Sequence, residues 1–166
     1  MVYYTRKGGL TMTNTTMFRK LISDYDSLAY THHYIFGFAA NGVVYAAITL
    51  NDVLPYVCTL DRASRGQGYS LRFKPTKAQK NFLKTCDLFP LCSADFFADE
   101  VKSSKYNAGE IFEKMVTEYF GQVWEKDNVP FTEGGDIEID GIAYQIKFEK
   151  ATFTNEKTLK KLREGR

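Results

Sequence analysis

The stretch GGDIEIDGIAYQIKFEKATF, Gly134 to Phe153, decides how the chain is read. Asp140-Gly141 stands between two runs that alternate apolar and polar residues. That is the signature of a two-residue type I′ turn, in which both central residues take φ > 0. Such a turn fixes the register of its strands. Ile139 is predicted opposite Ile142, Glu138 opposite Ala143, Ile137 opposite Tyr144 and Asp136 opposite Gln145. Opposed residues share a face, and side chains alternate along each strand. Ile137, Ile139, Tyr144, Ile146 and Phe148 therefore make an apolar face. Asp136, Gln145 and Lys147, with Glu138 and Glu149, gather on the other.

Composition sets the frame. The chain has 166 residues, 44% hydrophobic and 25% charged, as expected of one soluble domain with a sizeable core. Aromatic residues make up 15%, enough large side chains to fill it. A net charge of +2 does not by itself argue for nucleic acid. Cys58, Cys86 and Cys92 form no CxxC pair, which fits reduced thiols in a cytoplasmic protein better than a disulfide framework or a zinc site. The first residues are polar and lack the apolar core of a signal peptide. The longest apolar run, Tyr34 to Leu50, is broken by Asn41-Gly42, so it reads as a hairpin and not as a membrane span. No membrane association is expected.

Along the chain, residues 1–16 are expected to be loosely ordered. Phe18, Leu21, Ile22, Tyr25 and Leu28 recur at helical spacing over about residues 15–30. A hairpin is predicted over 33–40 and 43–49, central in a sheet because it is apolar on both faces. A short helix follows Asn51, residues 61–68 read as a loop, and 69–73 as a strand. Thr76 is predicted to cap a helix running to about Thr85. Lys77, Lys80 and Lys84 recur along one side of that helix, a solvated face or a set of backbone-phosphate contacts. Residues 86–92, with Pro90, read as a link. Ser93 is predicted to cap a helix over 94–102, and a stronger amphipathic helix runs from about Tyr106 to Phe120. Gly121 is its stop. A basic helix over about 155–164 carries Lys157, Lys160 and Lys161.

A helix with an embedded acid, a strand beginning with Asp, a strand with Gln-x-Lys and a basic helix occur in that order. Over about residues 105–165 this resembles the PD-(D/E)XK nuclease superfamily, of restriction-endonuclease-like fold. The matching residues are Glu113 within GEIFEKMV, Asp136 within GGDIEI, and Gln145 and Lys147 within YQIKF. Of the two acids on the helix, Glu113 falls beside Val116 and Phe120 at about 100° per residue, while Glu110 falls toward solvent. The resemblance implies an α/β (α+β) fold, a mixed central sheet flanked by helices, with residues 17–104 packed on or completing the core. It implies a metal-dependent deoxyribonuclease, most simply an endonuclease. Asp136, Gln145 and Glu113 would shape a Mg2+ (or Mn2+) site, and Lys147 would orient the attacking water or stabilise negative charge. A carboxylate-held divalent cation is well suited to phosphodiester hydrolysis. DNA is the implied partner, with Lys77, Lys80, Lys84, Lys157, Lys160 and Lys161 as backbone contacts, and a homodimer is consistent with such folds.

The chain departs from that pattern in three places. Gly135 stands where Pro precedes the Asp. Gln145 stands where an acid is expected, leaving Glu149 or Glu138 to compensate. The sequence ends soon after the basic helix, so a further core strand is either absent or supplied by the Tyr34–Leu50 region. Two other functions stay open on these residues: a catalytically inactive DNA-binding module of the same fold, motivated by Gln145, and a mobile-element interaction or inhibitor protein, motivated by the aromatic-rich first half.

Overall fold

A computed structural model describes residues 33–62, 69–124, 137–149 and 151–154. The helix expected over 15–30, Asp136 and the basic helix over 155–164 lie outside the described residues. The elements are β1 (His33–Ala40), β2 (Val43–Leu50), a 3-10 turn (Asn51–Val53) running into α1 (Leu54–Val57), β3 (Thr59–Arg62), β4 (Tyr69–Phe73), α2 (Lys77–Leu83), β5 (Asp87–Ser93), α3 (Ala94–Lys102), α4 (Ala108–Tyr119), β6 (Ile137–Ile139), β7 (Ile142–Phe148) and β8 (Ala151–Thr154). Among the described residues no helix is long and apolar enough to cross a membrane.

The molecule is mixed α/β. A five-stranded sheet has the order β5-β2-β1-β7-β6, and a three-stranded sheet the order β3-β4-β8. Both tight turns form as their residues dictate. Asn41 and Gly42 take φ of 53° and 77°, and Asp140 and Gly141 take 52° and 80°. The β6–β7 register is the one that the turn demands, Ile137↔Tyr144, Glu138↔Ala143 and Ile139↔Ile142. β1 and β2 lie inside the sheet, as strands apolar on both faces must. β1 pairs antiparallel with β2 and parallel with β7, so the first hairpin is the neighbour of the second.

Residues 86–92 are not a link. Asp87–Ser93 is an edge strand on β2, with Tyr45 opposite Pro90 and a bulge at Val44/Tyr45. Proline is tolerated there because an edge strand leaves one side of its backbone without a ladder. A further strand, β3, takes in Asp61 and Arg62, which the sequence reads as loop, and α2 ends at Leu83 rather than near Thr85.

Apolar clusters cover both faces of the large sheet. On one, Ile35, Val44, Ala46, Ile137, Tyr144 and Ile146 meet Phe97 of α3 and Ile111, Phe112 and Val116 of α4. On the other, Tyr34, Phe36, Phe38 and Ala47 meet Leu54, Val57, Phe73 and Leu83. Gly37, in β1, sets how closely α4 approaches. A Cβ built there would fall into the Phe112 ring, against its Cζ, Cε1 and Cε2. Gly37→Ala is therefore expected to destabilise the fold by about 2–3 kcal/mol, as overpacking does. Urea unfolding would read this as a lower midpoint at unchanged slope. Phe112→Leu in the same chain should recover part of the loss. A Gly37→Ala protein as stable as its parent would contradict the close approach.

Candidate functional site

β7 carries two sets of side chains. Tyr144, Ile146 and Phe148 point into the cluster with α4. Gln145 and Lys147 alternate with them and so lie on the opposite face. Their β1 partners are Tyr34 and Phe36, which belong to the cluster beneath α1 and α2. Gln145 is only 2% exposed and Lys147 is half-buried. A primary amide and a lysine thus occupy an interior strand, on a face otherwise packed with Tyr34, Phe36 and Phe38. Burying such groups is costly unless they are satisfied.

Glu113 is half-buried on α4. Its own carbonyl accepts the Thr117 hydroxyl at 2.7 Å. Glu110 is taken up by the start of the helix: its backbone N–H donates to Asn107 Oδ1 at 2.9 Å, and its carboxylate accepts the Asn107 N–H at 3.2 Å. That reciprocal cap gives Glu110 a local job. It is a second reason, besides helical phase, to single out Glu113. However, α4 packs on the face of the sheet that Tyr144 and Ile146 occupy. The structure brings Gln145 and Lys147 together and carries the helix of Glu113 across the sheet from them. Among the described residues no group of three or more His, Cys, Asp or Glu side chains is placed to hold a metal ion.

By sequence alone Glu149 reads as a compensating ligand, and Lys80 as part of a solvated face or a phosphate contact. In the fold they meet. The Glu149 carboxylate accepts the Ala39 N–H at 2.8 Å, across 110 residues of sequence. Lys80 Nζ donates to the Ala39 carbonyl at 2.6 Å and lies 3.3 Å from Glu149 Oε2. No local pattern announces such a contact. Lys84 is held over the Tyr45 ring at 6.0 Å from its centroid, and Lys77 is exposed. Glu138 is exposed, and its carbonyl accepts the Gln122 amide. Lys157, Lys160 and Lys161 lie outside the described residues.

Burial raises the pKa of Tyr144 and of all three cysteines, Cys58, Cys86 and Cys92. The Tyr144 hydroxyl holds its proton more tightly than a free phenol, first because it is desolvated and then because Asp87 and Asp140 are near. Burial alone pushes the Cys58 thiol far up, which makes it a core group and not a nucleophile. Comparison with protein-family models, curated proteins and solved structures finds no match to the chain.

The burial of Gln145 has a measurable consequence. In Gln145→Glu, burial would disfavour the ionised carboxyl and raise its pKa in the folded state. Near pH 4 the introduced group is largely protonated in both states. As pH rises through the unfolded value of about 4.3, the unfolded chain ionises first and stability falls until the folded pKa is passed. With EDTA present, the stability gap to the parent in urea unfolding should widen from pH 4 to pH 8, reaching on the order of 2–4 kcal/mol. A pH-independent gap would show that position 145 is less buried than described.

Proposed function

We propose that the protein is a divalent-metal-dependent nuclease acting on DNA. The observation that carries this is the Gln145/Lys147 pair, side by side on interior strand β7, with Gln145 98% buried. A fold that needed only a packed sheet would have placed apolar side chains there. Counted by sequence from the Asp140-Gly141 turn, Asp136 would fall opposite Gln145 on the same face. Asp136, Gln145 and Lys147 are the residue types that phosphodiester hydrolysis uses, and they match the Asp…Gln-x-Lys order of the PD-(D/E)XK resemblance.

The donors suit a hard cation of the magnesium type. Such a cation keeps several waters and is commonly held by one or two carboxylates together with substrate phosphates, so a sparse protein contribution suffices. Asp136 would be the principal ligand and the Gln145 carbonyl a neutral second. Glu113, whose helix packs on the other face of the sheet, is the least supported member of the set. When bound, the cation supplies Lewis acidity toward a phosphoryl oxygen and lowers the pKa of a bound water. Lys147 would donate to a non-bridging phosphate oxygen and orient the attacking water. Lys77 and Lys84, with Lys157, Lys160 and Lys161, would contact the DNA backbone, giving affinity that falls steeply with salt.

One observation favours a second reading. The helix bearing Glu113 lies across the sheet from Gln145, and Gln145 is neutral. Both features suit a DNA-binding module of the same fold that does not cut.

Plasmid nicking in Mg2+ or Mn2+, abolished by EDTA, tests the proposal. Lys147→Ala is expected to reduce the rate by at least about 100-fold, the scale on which positioned acid–base groups act, at unchanged circular dichroism. Asp136→Ala should do the same. Nicking undiminished by Asp136→Ala would remove the metal assignment. Salt-sensitive DNA binding without any cleavage would establish the second reading.

A further inference from the structure

We propose that Lys80 and Glu149 are positioning residues that fix the end of β7 and, through it, the Lys147 ammonium; this rests on the nuclease reading. The backbone pattern shows how. In a parallel pair the hydrogen bonds are evenly spaced along both strands. The Glu149 N–H donates to the Gly37 carbonyl at 2.9 Å, the last regular bond of the β1–β7 ladder. The regular continuation would send the Ala39 N–H to the Glu149 carbonyl and bring the residue-151 N–H to the Ala39 carbonyl. Neither is available, because the chain leaves the sheet. Ala151–Thr154 pairs instead with β4 in the three-stranded sheet, Phe73 opposite Ala151.

Side chains take over both bonds. The Glu149 carboxylate accepts the Ala39 N–H at 2.8 Å in place of its own carbonyl. Lys80 donates to the Ala39 carbonyl at 2.6 Å in place of the missing backbone donor, and pairs with the same carboxylate at 3.3 Å. One carboxylate and one ammonium thus continue the ladder by one more step after the main chain has turned away. The side chains are 22% and 20% exposed, so solvent screens them only in part.

Lys147 precedes Glu149 by two residues and shares its side of the strand. Where the strand end is pinned, Lys147 has a fixed base. Where the clasp is released, the Glu149 N–H bond to Gly37 and the packing of Phe148 on Phe97 and Phe112 remain, and the polar side of the strand end loses its tie to β1. The clasp also takes Lys80 out of the lysine ridge. Its ammonium is committed to the fold, whereas Lys77 on the same helix is exposed.

The test uses the full chain with Glu149→Ala, Glu149→Gln, Lys80→Met and Lys80→Arg. Glu149→Gln keeps an oxygen for the Ala39 N–H, and Lys80→Arg keeps a donor for the Ala39 carbonyl. For Glu149→Ala and Lys80→Met, kcat for plasmid nicking should fall by about 10- to 100-fold, the cost of roughly 1 Å of misplacement. KM and the salt dependence of duplex binding should not change. The two conservative variants should stay within about threefold of the parent. If Lys80→Met instead weakens duplex binding, lowers the salt slope by about one and leaves kcat intact, Lys80 is a phosphate contact and the proposal falls. If the parent does not nick DNA at all, the nuclease reading fails separately. The positioning claim is then judged by the Lys147 Cε resonance in protein carrying 13C-lysine, assigned with Lys147→Arg. It should shift in Glu149→Ala and Lys80→Met and hold in Glu149→Gln. An unmoved resonance overturns the clasp.

Discussion

The fold depends on one long-range pairing, the parallel ladder between β1 and β7. It joins the hairpin near residue 40 to the hairpin near residue 140, and every other layer is arranged around it. Parallel strands need both faces covered. Here α3 and α4 cover one face, and α1, α2 and Phe73 cover the other. The close approach of α4 requires a residue without a Cβ at Gly37, where Phe112 rests on the strand. Closing so long a segment costs entropy that grows only slowly with length. The two buried clusters at the seam are what offset it.

Against that apolar background, Gln145 and Lys147 stand out by where they are and not by how many polar neighbours they have. An interior strand between β1 and β6 is the most expensive place in the sheet for a polar side chain. Charge reappears where the ladder ends, in the Lys80–Glu149 pair over Ala39. Polar chemistry is thereby concentrated along one row, from Gln145 through Lys147 in β7 to Glu149 just beyond its end, while the alternate row is core. The same strand is a structural wall on one side and the candidate site on the other.

Much of this was legible locally. Asn41-Gly42 and Asp140-Gly141 encode their turns because a type I′ turn demands φ > 0 twice, and a two-residue turn leaves no freedom of register. Thr76 and Ser93 cap their helices as their side chains predict. What local patterns missed was set at a distance. Pro90 argued against a strand, yet an edge position has no use for its absent N–H. Helical phase placed Glu113 at the edge of an apolar stripe, but phase cannot say which face of a sheet that stripe will cover. Lys80 looked like one more member of a solvated lysine face. Its partner, Ala39, is 41 residues away and offers only backbone. Each miss turns on a partner distant in sequence: β2 makes a strand of the segment around Pro90, and Ala39 takes Lys80 out of the solvated face.

Gln145 ties these strands of reasoning together. A carboxylate at that depth would oppose folding whenever no cation was bound, because burial penalises the charged form. A neutral amide can be buried beside Tyr34 without any ion and still present a carbonyl oxygen. Under the nuclease proposal, replacing an acid by Gln145 trades ligand strength for a site face that stays folded when empty. The compensation would come from Asp136 and the substrate's own phosphates, and Lys147 would act from a strand end already fastened by Lys80 and Glu149. Under that same proposal, a sheet face that stayed intact without a cation would need that fastening more than one held together by the ion.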